Sequence, residues 1–381
     1  MKTEQSIYTD SPGWETKHSF TGDCKADLVF LFGSRELLKK DDLFSDVRQK
    51  YPHAQIVGCS TAGEILNEEV LDNSIVCSAI SFSSSSVKVY CESIGSMDES
   101  YQIGQSLSSK IDKTGLKHVM LLSEGLNING SELIKGIYTG LEGAPVTVTG
   151  GLAADQSGFE ETVVVCNAAG KSNLVLAIGF YGDKLLVGTG SKGGWDSFGV
   201  DRLVTKSKAN ILYELDGQPA LELYKKYLGA HAAALPASAL LFPLSVKLGD
   251  TDISLVRTVL SVNEKDGSMI FAGDIPEGDY VRLMKAGFEK LIDGAAQAAE
   301  LSEISLNSDA PDFAVLISCV GRKLVLKQRV EEEVEIAREI FGQNCLLSGF
   351  YSYGEIGPGT PESQRCELHN QTMTITLFKE L

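Results

Sequence analysis

Clusters of lysine and arginine are scarce in this sequence of 381 residues. The chain has 34 basic residues against 51 acidic ones, a formal net charge of −17 at pH 7, and no basic run longer than Lys39-Lys40 or Lys225-Lys226. Proteins that bind nucleic acid or an anionic membrane surface need clustered positive charge to neutralise phosphates. The charge balance therefore argues against nucleic acid and against a membrane surface as partners.

The usual motifs of metal sites and of common catalysts are also missing. None of the eight cysteines belongs to a Cys-x-x-Cys pair, which zinc and iron–sulfur sites use, and no Cys-x-x-Cys-His is present for covalently attached haem. The glycines of 188–199 lack the Walker spacing of a phosphate loop, and there is no Gly-x-Ser-x-Gly elbow. These absences argue against zinc, iron–sulfur and serine-hydrolase chemistry.

No stretch of the sequence approaches the ~20 consecutive apolar residues of a membrane-spanning helix. The most apolar-leaning segment, 230–244, is interrupted by Pro236 and Pro243. The first residues, MKTEQSIYTDSPGW, are polar and lack the apolar core of a secretory signal. Scattered cysteines are typical of a reducing compartment. The sequence thus predicts a cytoplasmic protein, and 43% hydrophobic residues provide ample material for a core.

The sequence does contain a recurring succession of apolar strands, helices and glycine turns. Predicted strands at 27–34 and 54–60 flank a predicted helix at 35–50. The same succession returns over 118–155 and over 312–357. Such alternation predicts an α/β (mixed α+β) fold.

Three other segments carry local predictions. The Gly-rich residues 188–199 are predicted to form a loop, with Trp195 as a core or lid aromatic. Segments 161–167 and 173–182 are predicted to pair as a hairpin, and apolar residues at helical spacing predict a helix over 280–299.

An internal repeat is the most informative feature of the chain. Residues 58–65 (GCSTAGEI) and 349–356 (GFYSYGEI) share the pattern Gly-x-x-Ser/Thr-x-Gly-Glu-Ile, and a strand and a helix precede each motif. The sequence predicts two repeat-related α/β halves packed together with a cleft between them. The segment 118–179, with its own glycine turn, can be a third and more diverged copy.

The match continues after the two motifs. LDNSIV at 71–76 corresponds to LHNQTM at 368–373, which makes Asp72-Asn73 the predicted repeat partner of His369-Asn370.

These residues resemble the FIST family. VGCSTAGEI, TGGLAAD, the stretch 198–229, SCVGR with GFYSYGEIG, and the closing HNQTMTITL match in order over about 26–378. The resemblance implies an N-terminal extension (1–25), a FIST N-terminal domain (26–212) and a FIST C-domain (213–381).

The resemblance also implies a function. FIST modules are bacterial-type ligand-sensing inputs that occur with histidine kinases, diguanylate cyclases or phosphodiesterases and chemotaxis receptors, and amino acids are proposed ligands. Some stand-alone members are similar to nitric-oxide sensors that bind haem b and regulate a kinase. This chain resembles the stand-alone kind, so the expectation is a sensor and not an enzyme. Its oligomeric state, a homo-oligomer included, stays open.

Glycine turns at the ends of buried strands are where α/β proteins place ligands. Glu64 and Glu355 either grip a polar ligand or accept backbone N–H bonds inside their turns. As a general acid/base pair they would instead serve an enzyme acting on a small polar substrate; a third hypothesis is a scaffold that binds a kinase through protein contacts alone. The predicted ligand-binding residues are Ser60, Thr61, Gly63, Glu64, Gly151, Asp155, Arg322, Tyr351, Tyr353, Glu355 and Asn370.

Two of the candidates have sharply different alternatives. Arg322, with Arg35 as its predicted repeat partner, either binds a carboxylate ligand or pairs internally with Glu355 or Glu64. His369 is the predicted haem-iron ligand, because a neutral imidazole is the usual axial ligand; the alternative is a hydrogen-bonded structural residue.

Overall fold

The computed structural model describes residues 1–22, 24–142, 144, 146–156, 158–235, 237–247, 254–307, 309–359 and 366–381. Helices and strands alternate along much of this chain, and its sheets mix parallel and antiparallel pairs. The α/β class is therefore confirmed.

The strands are β1 (Lys2–Thr9), β2 (Gly13–His18), β3 (Leu28–Gly33), β4 (Gln55–Ser60), β5 (Glu64–Leu66), β6 (Glu69–Leu71), β7 (Ile75–Ser81), β8 (Ser86–Ser93), β9 (Leu116–Ser123), β10 (Thr147–Leu152), β11 (Val164–Cys166), β12 (Leu174–Tyr181), β13 (Leu185–Lys192), β14 (Asp196–Lys208), β15 (Ile211–Leu215), β16 (Gln218–Pro219), β17 (Leu244–Lys247), β18 (Ser254–Arg257), β19 (Val259–Asn263), β20 (Ser268–Phe271), β21 (Tyr280–Lys285), β22 (Phe313–Cys319), β23 (Leu346–Ser352), β24 (Gly354–Pro358), β25 (Cys366–His369) and β26 (Met373–Glu380). The α-helices are α1 (Arg35–Leu38), α2 (Asp41–Lys50), α3 (Ser100–Lys110), α4 (Gly130–Leu141), α5 (Ala220–Leu228), α6 (Phe288–Ser305), α7 (Val320–Leu326) and α8 (Glu332–Phe341). Short 3-10 turns lie at Met97–Glu99, Gly229–Ala234, Ala237–Leu241 and Lys327–Arg329.

Three sheets repeat one arrangement, in the orders β4-β3-β7-β1, β10-β9-β12-β8 and β23-β22-β26-β13. In each, the first two strands are parallel, and the third strand is antiparallel to the second. Parallel neighbours need a crossover, which α1 and α2, α4, and α7 and α8 supply in turn. The molecule thus has three repeated units where the sequence predicted two halves. The additional unit is the middle one along the chain, which contains β9 and β10 and corresponds to the diverged copy considered for 118–179.

Each unit gives a strand to the next unit's sheet. After its turn, β4 leads into β5, which pairs with β23; β23 leads into β24, which pairs with β10. The chain beyond β10 then supplies β11, which pairs with β4. This exchange closes a cycle, and we call the three sheets together the ring.

One buried core joins the sheets of the ring. Phe32, Leu122 and Ile317, at equivalent positions of β3, β9 and β22, belong to the same fully buried cluster. Burying one such side chain contributes roughly 1.5–3 kcal/mol. The ring is consequently held by its centre as well as by its exchanged strands.

A fourth sheet is inserted between β13 and α6. Its order is β18-β17-β21-β14-β15-β20-β19, with β16 paired to β15, and α5 packs on it through a separate core that includes Tyr224 and Phe271. We call this part, 193–287, the inserted sheet.

The predicted helix over 280–299 was wrong in its first part. Residues 280–285 form β21, and the helix α6 begins only at Phe288. Val281 and Leu283 are buried while Tyr280 is exposed, which is the two-residue period of a strand. The same apolar residues also fit a helical period, so the spacing alone did not decide.

The predicted loop over 188–199 was also wrong, because β13 and β14 cover most of it. A Cβ atom on Gly188 or Gly190 would lie 2.2 or 2.1 Å from a carbonyl oxygen of α6. These glycines let the helix approach the strand closely. Trp195 packs in a core cluster and donates its Nε1–H to Gln371 O (2.8 Å).

The predicted hairpin of 161–167 with 173–182 does not form as expected. β11 pairs with β4 in one sheet, and β12 pairs with β8 and β9 in another. An isolated bridge joins Val164 of the first segment to Lys171, which lies between the two segments.

Among the helices of the described residues, none combines the length and apolar character that crossing a bilayer requires.

Candidate functional site

The three turns that follow β4, β10 and β23 meet one another in the ring. Each turn donates at least one backbone N–H to a carbonyl of a neighbouring turn, so the contacts run in a cycle. Three of these contacts are Ala62 N–H to Tyr351 O (2.8 Å), Tyr353 N–H to Leu152 O (3.3 Å) and Ala154 N–H to Ser60 O (2.8 Å). Most of the sequence-predicted site residues are therefore brought together here.

Each strand that leads into a turn has one position that must be glycine, because the backbone of the neighbouring parallel strand lies too close for a side chain. A Cβ atom on Gly58, Gly150 or Gly349 would lie 1.8 to 1.9 Å from the carbonyl oxygen of the parallel neighbour strand. Gly151 is the next residue, and its Cβ would lie 2.8 Å from a methyl group of Ile317 in the central core. Gly151 therefore serves packing inside the ring.

Glu64 and Glu355 occupy equivalent positions and make equivalent hydrogen bonds. Thr61 Oγ1 donates to Glu64 Oε1 (2.5 Å), and Ser74 donates its hydroxyl to Oε2 (2.7 Å) and its N–H to the same atom (3.3 Å). At the turn after β23, the donors are Ser352 Oγ to Glu355 Oε1 (2.5 Å) and Thr372 Oγ1 and N–H to Oε2 (3.0 and 3.1 Å). Each carboxylate thus ties its glycine turn to the residue just before the next long strand, β7 or β26.

Burial dominates the titration of both carboxyl groups. It raises the pKa of Glu64 and that of Glu355 to about 7, and the hydroxyl donors lower both in part. Since both oxygens of each group are engaged by the protein, the alternative in which they bind a substrate or exchange protons with it gains no support from this geometry.

The turn of the middle unit has a different chemistry. Asp155 accepts the N–H groups of Phe159 (2.8 Å), Glu160 (2.9 Å) and Glu161 (3.0 Å), which closes a loop around its carboxylate. Tyr353 donates its hydroxyl to the same carboxylate, and Arg35 Nη1 lies 3.3 Å away. Asp155 therefore links all three units, and its partners are internal.

Lys323 is a residue of this region that the sequence reasoning missed. Its ammonium donates to Ala62 O (2.8 Å) and pairs with Asp72 (2.5 Å). Gly63 has a φ of +143°, a backbone conformation that favours glycine, and a Cβ there would also lie 2.4 Å from Lys323 Nζ. The contact joins two units that lie far apart in sequence, and no local pattern predicts it.

Arg322 pairs internally, as one of its two alternatives predicted, but its partner is Glu333, and the predicted partners Glu355 and Glu64 were wrong. Its side chain is fully buried, and Nη2 and Nε lie 2.7 and 2.9 Å from Glu333 Oε2. Ser318 and Tyr351 donate their hydroxyls to the other oxygen of Glu333 (2.9 and 2.6 Å). The predicted equivalence of Arg322 with Arg35 was wrong, because the strand registers align Arg35 with Val320.

The predicted alignment of the segments after the two motifs was wrong by one residue. Ser74 and Thr372 make the same bonds to Glu64 and Glu355, and the residues before them, Asn73 and Gln371, both have positive φ (56° and 62°). Asn370 therefore corresponds to Asp72 and not to Asn73.

His369 lies buried in β25 and is poorly placed for haem. Its Nε2 atom lies 3.1 Å from both Gly357 O and Pro358 O, so a proton on this nitrogen is donated to backbone carbonyls. Burial and, secondarily, the charge of Arg257 lower the pKa of His369 to about 4, which keeps the ring neutral. The ring could ligate iron through Nε2 only after losing these contacts, so the residues as arranged do not fit a haem at His369.

Unpartnered polar atoms gather beside Asn370, where the ring meets the inserted sheet. Asn370 Nδ2, Thr258 Oγ1 and Gln371 Oε1 are buried and have no hydrogen-bond partner among the described residues. Thr258 N–H makes a long contact of 3.5 Å with Asn370 Oδ1, and Arg257 Nη1 donates to Leu368 O (2.8 Å). We call Arg257, Thr258, Asn370 and Gln371 the seam cluster.

The seam cluster is the candidate ligand site, because three of its buried polar atoms lack a partner among the described residues. Buried polar groups are almost always hydrogen-bonded, and each exception calls for an explanation such as a bound water, ion or other ligand. Of its members, the sequence predicted only Asn370 as a site residue. Arg257 and Thr258 belong to the insertion, and their proximity to Asn370 depends on packing that no local pattern encodes.

Other sites are less well suited. In the part of the chain that the structure describes, no three His, Cys, Asp or Glu side chains group closely enough to hold a metal ion. A polar cavity of about 280 Å³ lies beside Lys17, Asn67 and Arg338. Arg338 there already pairs with Glu68 (3.1 Å) and donates to Asn67 (3.0 Å), so its charge is matched.

Comparison with known families matches two adjoining models to this chain. The FIST N domain matches residues 27–218, and the FIST C domain matches residues 220–358. The sheets of the ring cross this division, since β5 and β13 lie in one sheet with β22, β23 and β26.

Individual relatives are more distant. The uncharacterized protein MJ1623 of Methanocaldococcus jannaschii is 23% identical over 379 residues, covering 86% of this chain and 69% of that protein. Among solved structures, cyanuric acid hydrolase from A. caulinodans aligns over 78% of this chain and 99% of its own with a TM-score of 0.19 and 10% identity. At that score the alignment carries no structural or functional argument.

Proposed function

The chain belongs to the FIST family, and from this membership and the seam cluster we propose that it is a sensor that binds a small ligand and acts on a partner signalling protein. FIST domains are small-ligand-binding sensory domains of signal transduction. The partner we propose is a histidine kinase, or a diguanylate cyclase or phosphodiesterase. Amino acids are the first ligands to test.

The observation that carries this proposal is the set of buried, unpartnered atoms at Thr258, Asn370 and Gln371. A buried donor or acceptor without a partner costs about 1–3 kcal/mol. A ligand that supplies the missing bonds recovers that free energy and so binds selectively to this arrangement.

The location of the cluster also suits signalling. Thr258 lies between strands of the inserted sheet, whereas Asn370 and Gln371 lie between strands of the ring. A ligand held by both parts would stabilise one position of the inserted sheet relative to the ring. A partner that recognises this position would then detect the ligand, because a ligand shifts an equilibrium by its differential affinity for the two states.

A pair of threonine variants tests the site. Thr258→Val removes an unpartnered hydroxyl, so it should leave the free protein as stable as wild type or raise the free energy of unfolding by about 1 kcal/mol. Thr372→Val is the control, since it removes a buried hydroxyl that donates to Glu355 (3.0 Å) and should destabilise the protein by about 1–3 kcal/mol.

The ligand itself is sought by thermal shift and calorimetry on the full chain. A small-molecule panel that stabilises wild type, and stabilises Thr258→Val less, supports a sensor site at the seam. Stabilisation at 100 times the dissociation constant amounts to about 2.7 kcal/mol, which a melting curve resolves. If no class of small molecule shifts the melting temperature, the sensor proposal fails.

A further inference from the structure

Arg257 is a buried arginine with an incomplete set of acceptors. It ends β18, and only 3% of its surface is exposed. Nε donates to Asp274 O (3.1 Å), and Nη1 donates to Leu368 O (2.8 Å) and Val256 O (3.3 Å). Nη2 has no acceptor, and no carboxylate forms a salt bridge with this guanidinium, among the residues that the structure describes.

Arg322, whose side chain is fully buried, shows what the fold does when an arginine is structural. Arg322 faces Glu333, whose remaining oxygen is filled by two hydroxyls. An ion pair buried in this way is complete, since charge and hydrogen bonds are both matched. Arg257 donates to carbonyl oxygens through Nε and Nη1, and no carboxylate of the described residues pairs with it.

The charge of Arg257 is kept despite its burial. Burial lowers the pKa of Arg257 to about 10, and the more distant charges of Asp274 and Glu367 raise it in part, so the guanidinium remains cationic near neutral pH. Asp274 is itself engaged by Asn129 Nδ2 (3.1 Å) and Lys135 (3.8 Å). A buried cation without a paired anion is unfavourable, and a ligand anion would relieve this cost.

The surroundings of Arg257 favour a small planar anion. Gly273 lies against the guanidinium, and a Cβ there would lie 2.8 Å from Nε. The absence of a side chain at Gly273 therefore leaves room for the guanidinium. Thr258, the next residue, and Asn370, across the seam, each hold an unpartnered buried atom that can donate a hydrogen bond. The two oxygens of a carboxylate can accept from several such donors at once, Nη2 of Arg257 included, and these hydrogen bonds are charge-assisted.

We propose that Arg257 is the anchor of a carboxylate-binding site at the seam, and that the ligand is a small carboxylate, amino acids included, whose oxygens take the open Nη2 of Arg257 and the amide of Asn370. The inference rests on the sensor function proposed above and specifies the chemical class of its ligand.

The test compares ligands on the wild-type protein first. The panel contains the twenty standard L-amino acids, acetate, succinate and citrate, together with glucose, inosine, putrescine and inorganic phosphate as other classes. Each carboxylate that raises the melting temperature is measured by calorimetry and measured again as its carboxamide. This comparison needs no variant, so a folding defect cannot obscure it. We expect at least a 10-fold loss of affinity in the carboxamide.

Three arginine variants then locate the contact. Arg257→Gln should weaken binding of the carboxylate at least 10-fold, and Arg257→Lys should weaken it less, because lysine keeps the charge but not the guanidinium geometry that places Nη2. Arg282→Gln is the matched control in the same sheet; its partner is the exposed Asp201 (2.7 Å), and binding should be unchanged. Near-ultraviolet circular dichroism checks that each variant folds.

The outcomes separate the two proposals. Carboxylate binding that is lost in the carboxamide and in Arg257→Gln supports the inference. Binding of glucose, inosine, putrescine or phosphate without any carboxylate, or carboxylate binding that Arg257→Gln leaves intact, overturns the inference but leaves a small-ligand sensor. Absence of binding across all classes overturns both.

Discussion

Replacing Glu355 with glutamine should change how the stability of the protein depends on pH. The side chain is fully buried and ties the third glycine turn to Thr372. Glutamine has nearly the same shape but cannot titrate. The variant therefore isolates what the titration of one carboxyl group contributes to folding.

The sign follows from the direction of the pKa shift. Burial raises the pKa of Glu355 from 4.5 to about 7 in the folded protein, so the folded state binds this proton more tightly than the unfolded chain does. The resulting stabilisation is fully present below the unfolded pKa and is lost as pH rises through the folded pKa. At about 1.4 kcal/mol per unit, a shift of this size corresponds to roughly 3 kcal/mol.

The assay is urea unfolding of wild type and Glu355→Gln at intervals from pH 4.5 to 8. The free energy of unfolding of wild type, relative to that of the variant, should fall by roughly 3 kcal/mol over this range. Glu64→Gln should repeat the effect, since burial also raises the pKa of Glu64 to about 7. Glu332→Gln is the control. Arg329 lowers the pKa of the exposed Glu332, so the free energy of unfolding of wild type, relative to this variant, should not fall as pH rises.

A wild-type-to-variant difference that is independent of pH, or that grows as pH rises, would refute this reasoning. It would mean that the turn holds Glu355 as an anion, which is what a bound cation would require.

Three further predictions concern close packing, the buried ion pair and haem. Gly349→Ala should lower the free energy of unfolding by about 3 kcal/mol or prevent folding, because its Cβ would lie 1.8 Å from Leu316 O; in Gly287→Ala the nearest side-chain atom is 3.7 Å away, and urea unfolding should show little change. Arg322→Met should cost about 3–5 kcal/mol because it leaves Glu333 buried and unpaired, and adding Glu333→Leu should restore part of the loss in the same assay; a double variant that is less stable than the single one would contradict this. Haem titration followed by absorbance should give no Soret band that depends on His369, because its Nε2 faces two carbonyl oxygens; a band that shifts with nitric oxide and disappears in His369→Ala would restore the haem hypothesis.

The glycine turns could be predicted from the sequence because their requirements are local. Gly58 and Gly349 must be glycine because a Cβ would clash with a carbonyl oxygen of the adjacent parallel strand. The glutamate six residues after each glycine accepts a hydrogen bond from a hydroxyl of the same turn. The repeated motif therefore showed where the turns and their carboxylates would be. It could not show that both carboxylates also accept hydrogen bonds from Ser74 and Thr372, which lie just before the next long strands.

The alignment after the two motifs and the seam cluster depend on backbone conformation and on packing between distant segments, which residue types alone do not specify. Aligning Asn73 with Asn370 is the best match by residue type, but positive φ falls on Asn73 and Gln371, which shifts the alignment by one. The proximity of Arg257 to Leu368 depends on how the inserted sheet packs on the ring. Such contacts between distant segments have no periodic signature.

The place of β26 in its sheet has a consequence for how the protein is made. This strand, at 373–380, pairs with β13 on one side and β22 on the other. During synthesis, β13 leaves the ribosome long before its partner exists, and its hydrogen-bonding edge must wait until residue 380 has been added. Pairings of such long sequence separation fold slowly and expose unpaired edges meanwhile. We therefore expect nascent chains that stop before β26 to need chaperone protection.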